Sequence, residues 1–264
     1  MLNPLKKNTQ TQQNQAPTAS AGHGVAQSIS VCWASTPDEI IEVQRLRYDV
    51  FADEMGVNLQ GKDGLDIDKF DPYVEHVYVR DNTSGKVVGC YRALTPNAAL
   101  QIGMYSEQEF DISYLLPQRA KILEVGRACV HKDYRTGTVL MSLWKAILQF
   151  SAKHGFEMIL GCTSVPVAAN SPAIRDIQRL LVDSGAMSDE FTVTPRAPFS
   201  QDMQPTVNAE VKMALPPLFK GYLRLGAKVC GTPTYDADFR TADYLTILKF
   251  ADVSPRYLKH FDLV

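Results

Sequence analysis

The segment from Ile122 to Cys162 constrains the fold more than any other part of the chain. Ile122-Leu-Glu-Val-Gly-Arg-Ala-Cys-Val130 reads as a buried strand. The turn His131–Gly137 leads into a helix from Thr138 to about Lys153, and Phe156–Cys162 reads as a second strand. Leu140, Leu143, Trp144, Ile147 and Leu148 recur at helical spacing, so one helix face is apolar and must be covered. Such a strand–helix–strand unit places the chain among α/β proteins.

Other elements fit around this unit. Thr36-Pro37-Asp38-Glu39 is a helix start with Thr as N-cap, Pro in the first turn and Glu closing a capping box. The helix is expected to run to about Met55 and stop at Gly56, with Arg47, Phe51 and Glu54 on one face at i, i+4 and i+7. An acidic loop, Asp63–Asp71, follows. Glu75–Arg80 and Lys86–Leu94 form a hairpin across Asp81–Gly85. Later elements are a helix from Ser171-Pro172 to near Gly185, a surface loop over Thr194–Pro205 with three prolines, a helix from Pro216-Pro217 to Gly226, and a last strand around Tyr244–Phe250. Residues 1–28 are rich in Gln, Asn, Thr, Ser and Ala, and the first acidic residue is Asp38; this stretch is expected to be a disordered arm without a leader sequence. Residues 29–264 then form one α/β domain with a mixed sheet flanked by helices.

Charge and composition narrow the function. With 27 Lys+Arg against 29 Asp+Glu the net charge is −2, which argues against a nucleic-acid binder. The most apolar run, Val139–Phe150, is broken by Ser142, Lys145 and Gln149, too short and too polar for a membrane span. The five cysteines include no C-x-x-C pair and sit among apolar residues, so buried thiols in a reducing cytoplasm are expected, not disulfides or zinc.

Glu124-Val-Gly126-Arg127 is the focus of the possible chemistry. Strand alternation sends Glu124 and Arg127 to opposite faces unless a β-bulge at Gly126 absorbs an extra residue. A bulge would also free a main-chain N–H and splay the strand, joining a slot, a carboxylate and an oxyanion donor, as acyl transfer requires. The plainer reading is an ion pair beside a packing glycine. In the turn that follows, Arg135, Gly137 and Thr138 at a helix N-terminus suit a phosphate. Arg47, Asp68, Asp71, Arg92 and Arg127 read either as a network ordering the acidic loop or as a site for an amino acid's charges. An EF-hand register from Asp66 fails, with Asp71 where Gly and Val77 where Glu are needed, so no metal is expected. Cys129 near His131 offers a thiol nucleophile, but no third group orients the pair. His76 and His154 receive no role. The helix at Leu218–Gly226 packs on the core with a basic edge (Lys220, Arg224, then Lys228) or touches a membrane surface.

The ordered series Arg47-x-x-x-Phe51, Asp68-x-x-Asp71, Gly89-Cys-Tyr-Arg92 and Glu124-x-x-Arg127 resembles the acyl-homoserine-lactone synthase branch of the GNAT acyltransferase superfamily. Gln108–Asp111, Val125–His131 and Leu215–Ala227 are more similar still to bacterial ornithine–acyl carrier protein N-acyltransferases, and the likeness spans roughly residues 36–260. It implies a GNAT-like domain with a splayed sheet. It further implies an acyl carrier protein delivering a 3-hydroxyacyl phosphopantetheine thioester as substrate, no cofactor besides, ornithine as acceptor and lyso-ornithine lipid as product. In such a site Glu124 would act as base, and an N–H near Gly126–Ala128 would hold the oxyanion. Glu54, Asp68 and Asp71 would serve the acceptor's ammonium groups, and Arg92 and Arg127 its carboxylate. Arg47 and Phe51 would line the substrate site, and Arg135, Gly137 and Thr138 would meet the phosphopantetheine. Gly56-Val57 stands where homoserine-lactone synthases carry Trp, which argues against S-adenosylmethionine; a single turn glycine, Gly137, argues against tight coenzyme A binding. The expected location is the cytoplasm, with peripheral contact at the inner membrane face. Competing readings are an acyltransferase for lysine, glutamine or glycine, a homoserine-lactone synthase, and an acyl-chain-binding sensor without turnover.

Overall fold

The computed structural model describes residues 28–59, 61 and 63–264. The expected arm therefore lies outside the described residues except for Ser28, whose carbonyl accepts the Asn82 N–H at 2.9 Å. The elements in chain order are β1 (Ile29–Trp33), α1 (Pro37–Tyr48), β2 (Glu75–Asp81), β3 (Val87–Leu94), α2 (Pro96–Ile102), α3 (Ser106–Glu109), β4 (Phe110–Asp111), β5 (Ile122–Val130), α4 (Thr138–His154), β6 (Met158–Pro166), α5 (Ile174–Asp183), β7 (Thr194–Pro195), α6 (Pro217–Leu225), β8 (Lys228–Val229), β9 (Thr234–Asp236), β10 (Thr241–Lys249) and α7 (Pro255–His260).

The main sheet runs β1-β2-β3-β5-β6-β10-β8, with β9 also on β10. Every pairing is antiparallel except β5 with β6, which the α4 crossover makes parallel. That parallel pairing covers only Ile122–Glu124 against Met158–Leu160. Both strands continue for six more residues without pairing with each other, so the sheet is mixed and splayed, as expected.

Each face of the sheet has its own core. Leu143, Trp144, Ile147 and Leu148 of α4 pack on Val77, Tyr91, Leu123 and Ile159 on one face, and Phe261 after α7 closes this layer. Gly221 lets α6 lie against α4, since a Cβ there would stand 2.0 Å from the Trp144 ring. On the other face Val43, Leu46 and Val50 cover Tyr78, Cys90 and Cys129. Beside them Ala99, Met104 and Phe110 cover Ile122, Leu160 and Leu245.

Most elements follow the sequence pattern, and the differences have local causes. The capping box at Thr36 forms, with the Thr36 N–H donating to Glu39 Oε2 at 3.0 Å and the Glu39 N–H to Thr36 Oγ1 at 3.3 Å. The first helix then widens into a π-helix over Asp49–Glu54, a form concentrated at functional sites. β1, an edge strand, precedes the first element recognised in the sequence. α5 begins at Ile174, after Ser171-Pro172, and the proline-rich stretch contributes β7, which pairs with β4. Cys32 and Cys162 are partly exposed, not buried like Cys90, Cys129 and Cys230.

Candidate active site

The bulge lies one residue past the expected glycine. Cys129 opposes Cys90 and Gly126 opposes Arg92, so Arg127 and Ala128 together face the single residue Tyr91. The left-handed backbone falls on Arg127, at φ 49°, and not on Gly126. The strain is tolerated because the Arg127 side chain is anchored: its guanidinium lies 4.6 Å from the Phe239 ring centroid and 5.9 Å from those of Phe51 and Tyr105. The extra residue brings Arg127 onto the face that carries Glu124, and both line a cleft of about 640 Å³ opening at the splay.

Glu124 forms part of this cleft wall and is held from the loop entering α3. Its Oε2 accepts the Tyr105 N–H at 2.7 Å; its Oε1 accepts the Ser106 N–H at 2.8 Å and the Ser106 hydroxyl at 2.6 Å. Burial pushes its carboxyl above the ordinary range, and these hydrogen bonds oppose the shift without cancelling it. A carboxylate has about four lone-pair sites, so three donors leave it able to accept another.

Three arginines organise the acidic loop above the site. Arg47, fully buried, spans Asp66 (Nε to Oδ2, 2.8 Å) and Asp71 (Nη1 to Oδ1, 2.8 Å; Nη2 to Oδ2, 2.9 Å), and its Nη2 also meets the Asp66 carbonyl. Arg92 donates to Asp68 Oδ1 at 2.7 Å. Arg127 is held loosely, 3.4 Å from Asp66 and 3.5 Å from Asp68, and its buried Nε–H makes no hydrogen bond. Arg92 likewise has a buried Nε–H without a partner among the described residues, so Arg92 and Arg127 both keep donors, and only Arg47 is fully engaged. Asp68 and Asp71, assigned to an ammonium group on the resemblance, are thus engaged by arginines. Asp66, which the sequence did not single out, is a principal partner.

Glu54 and Arg135, expected to serve different substrates, meet each other: Arg135 Nη2 donates to Glu54 Oε2 at 2.8 Å, and its Nε to the Val130 carbonyl at 3.0 Å. Both line the cleft on the β5 side of the splay, as do Phe51 and Gly137. Gly137 (φ 95°) is the N-cap of α4 and Thr138 is its first residue, both exposed. Leu140, Leu143, Leu218 and Tyr222 give the cleft an apolar wall. A small cavity of about 50 Å³, lined in part by Trp144, Ile147 and Leu225, shares Tyr91, Val125, Cys162, Thr163 and Tyr222 with it. Cys129 is an unready nucleophile. Its sulfur is 3.5 Å from that of Cys90, and the contact together with burial pushes the thiol well above its usual range.

On the β6 side the cleft is lined by Asp236 and Asp243, which the sequence did not single out. Burial raises Asp243 to about 6, and burial with the charges of Asp236 and Asp243 raises Glu109 of α3 to about 7. A carboxyl whose pKa is raised on folding contributes stability fully below the unfolded value, near 4, and loses it as pH rises through the folded value. Asp243→Asn is therefore expected to melt above the wild type at pH 8 and to lose that margin by pH 4. Melting temperatures across this range check it; a variant no more stable at pH 8 than at pH 4, relative to the wild type, would show the charge to be well compensated. Among the described residues no group of His, Cys, Asp and Glu is placed to hold a metal ion, and no helix is long and apolar enough to cross a membrane.

Comparison with known proteins identifies the family. Residues 46–145 match the acetyltransferase (GNAT) domain family. The chain is 34% identical over 245 residues to the L-ornithine N(alpha)-acyltransferase of Rhizobium meliloti, covering 86% of this chain and 82% of that protein. It is 30% identical over 249 residues to the enzyme of the same name from Brucella abortus, covering 89% of each. Among solved structures, a CoA-dependent acyl-homoserine lactone synthase, BjaI, superposes with a TM-score of 0.51 at 14% identity over 89% of this chain and 88% of that one, a likeness of fold. With a GNAT domain carrying the bulge and splay, and relatives of this identity along most of their length, the chain belongs to the family of L-ornithine N(alpha)-acyltransferases.

Proposed function

We propose that the protein transfers a 3-hydroxyacyl chain from acyl carrier protein to the α-amine of ornithine, giving lyso-ornithine lipid. The observation that carries this reading is Glu124, a buried carboxylate with spare acceptor capacity in a cleft where β5 parts from β6. An amino acid's α-amine is protonated in water, so transfer needs a base within reach. Glu124 takes that proton; the free amine attacks the thioester carbonyl, the C–S bond breaks, and the departing pantetheine thiolate takes up the second proton that the attacking nitrogen gives off, leaving as the thiol. A main-chain N–H at the bulge, among residues 126–128, faces the oxyanion of the tetrahedral intermediate. Arg127 and Arg92, which both line the cleft and keep unpaired Nε–H groups, pair with the acceptor's carboxylate.

The acyl chain follows the apolar wall toward Trp144, and the phosphopantetheine arm leaves past Gly137 and Thr138. This chemistry calls for no cofactor beyond the thioester itself. Lys220 and Arg224, exposed on α6, together with the exposed Lys228, suit contact with an anionic membrane surface at which the lipid product is shed. The test is an assay with purified protein, ornithine and a 3-hydroxyacyl chain presented either on acyl carrier protein or on coenzyme A, read by mass spectrometry. Acyl-ornithine is expected, at least about tenfold faster from the carrier and less so at high salt, as for steered protein association. Failure to form acyl-ornithine from either donor would sink the reading, and a preference for coenzyme A would sink the donor assignment.

A further inference from the structure

Every carboxylate of the acidic loop that faces the site has a cation: Asp66 and Asp71 meet Arg47, and Asp68 meets Arg92; beyond the loop, Glu54 meets Arg135. Glu109, Asp236 and Asp243 have none among the described residues. Asp243 is the sharpest case. It is 4% exposed, the third residue of a strand that is buried almost throughout, and its Oδ1 takes one hydrogen bond, from the Thr241 hydroxyl at 2.7 Å. Ser164 also lies beside it, and Arg127 acts on it only at a distance. A buried charge without a counter-ion is unfavourable to folding, and it persists where something outside the chain supplies the counter-charge.

The sheet register places this group in the acceptor's half of the cleft. Asp243 faces Ser164 at the splayed end of β6, and Thr241 faces Asp236, so Asp236 and Asp243 are diagonal neighbours on one face of the β9–β10 pair. Glu124 faces Leu160, and Leu160 faces Ile247, an even number of residues from Asp243. Glu124 and Asp243 thus share a face of the sheet. α3 bridges them: Ser106, its first residue, binds Glu124, and Glu109, its last, is close enough to Asp236 and Asp243 to feel their charge.

We infer that Asp243, with Asp236, receives the side-chain ammonium of the acceptor and so makes the enzyme selective for a basic α-amino acid, with Glu109 of α3 adding its charge from beyond the cleft lining. The inference rests on ornithine as the acceptor. Five bonds separate its two nitrogens, roughly 6 Å when extended, and one helical turn of α3 advances about 5 Å. An acceptor lying along α3 therefore presents its α-nitrogen at Glu124 while its far nitrogen reaches the carboxylates. An organic ammonium suits these groups better than a metal ion, because their oxygens do not converge as metal ligands would. The ammonium has three donors, and Asp243 and Asp236, diagonal neighbours lining the cleft, offer it acceptors. A neutral side chain of equal length would leave the carboxylates uncompensated, and sites built for a polar group reject analogues that lack it.

The experiment measures kcat and KM for ornithine and for norvaline, its analogue without the side-chain amine, using a 3-hydroxyacyl thioester of acyl carrier protein as donor. The wild type is expected to prefer ornithine by about a hundredfold or more in kcat/KM. Asp243→Asn and Asp236→Asn are each expected to raise the ornithine KM at least about tenfold, to leave the donor KM unchanged, and to leave norvaline use equal or improved. Neither is expected to melt lower than the wild type at pH 8, which separates a binding role from a structural one. Glu109→Gln is expected to act in the same direction. Variants that keep the ornithine preference, or lose both acceptors alike, overturn the assignment of these carboxylates. A wild type that acylates norvaline as readily as ornithine overturns the acceptor reading itself, whatever the variants do.

Discussion

Glu124→Gln is expected to lower kcat by about 10²–10⁴-fold, the usual contribution of a general base, with little change in the donor KM. The amide cannot take the proton that the α-ammonium must lose. The substitution also has a structural effect. Both Glu124 oxygens accept hydrogen bonds, from the Tyr105 N–H at 2.7 Å and from Ser106 at 2.8 and 2.6 Å, so a Gln NH₂ would face a donor whichever way it turns. A lost buried hydrogen bond of this kind costs about 1–3 kcal/mol, and the melting temperature should fall with it. Ser106→Ala supplies the control. It removes one donor to Glu124 and disturbs the start of α3, yet leaves the carboxylate in place, so its activity should fall by no more than about tenfold. If Glu124 acts only by holding the loop entering α3, the two variants should lose activity in proportion to their loss of stability. A loss below tenfold in Glu124→Gln with saturating ornithine would place the base elsewhere in the cleft, with Asp243 and Asp236 next to be tried.

The parts of this site that were legible in the sequence are those fixed by short-range periodicity. The apolar face of α4 and the capping box at Thr36 lie within single elements, and each is found where the spacing put it. The bulge was legible in kind but not in place. Glycine is the residue that relaxes most easily into a left-handed backbone, whereas here Arg127 adopts it because Phe239, more than a hundred residues away in sequence, stacks on its guanidinium. The arginine–aspartate network was legible as one of two readings, but the pairing within it, and the Glu54–Arg135 pair, were not. Arg47 and Asp71 are 24 residues apart and Glu54 and Arg135 are 81 apart, and nothing local distinguishes a paired carboxylate from a free one. Asp243 did leave a signal: an Asp followed by Tyr-Leu-Thr-Ile-Leu, just ahead of where the last strand was expected to begin. Extended to its observed start at Thr241, that strand contains a charged residue on a buried face, which calls for a partner.

Arg47→Met is expected to destabilise the fold by about 3–5 kcal/mol, the largest stability effect of any single substitution at this site. The Arg47 side chain is inaccessible to solvent and joins α1 to both ends of the Asp66–Asp71 loop. Methionine fills much of the same volume, so the loss comes from the charges left behind. Asp66 and Asp71 would remain buried, with Arg92 3.6 Å from Asp71 and Arg127 3.4 Å from Asp66 as distant substitutes. Arg47→Lys keeps the charge, but a single ammonium cannot span two carboxylates as the guanidinium fork does, and it should recover only part of the loss.

Acidity gives the same prediction a second reading. Burial acts to raise the Asp71 carboxyl, but the hydrogen bonds and charge of Arg47, with the charge of Arg92, outweigh it and hold the group below its usual range. A carboxyl lowered on folding contributes stability above its unfolded pKa, near 4, and loses it as pH falls through the folded value. The gap between wild type and Arg47→Met should therefore be widest near neutral pH and narrow below about pH 4. Adding Asp71→Asn to Arg47→Met removes one stranded charge and should restore part of the lost stability at pH 7, whereas Asp71→Asn alone should lower it; this opposite sign is the mark of a direct pair. Urea unfolding of the four proteins at two pH values measures all of these terms. A loss of less than about 1 kcal/mol in Arg47→Met, within the range of an exposed pair, would mean that solvent or the other arginines already compensate the loop. The loop could then move independently of α1, and Arg127, which leans on Asp66 and Asp68, would not have a fixed place in the cleft.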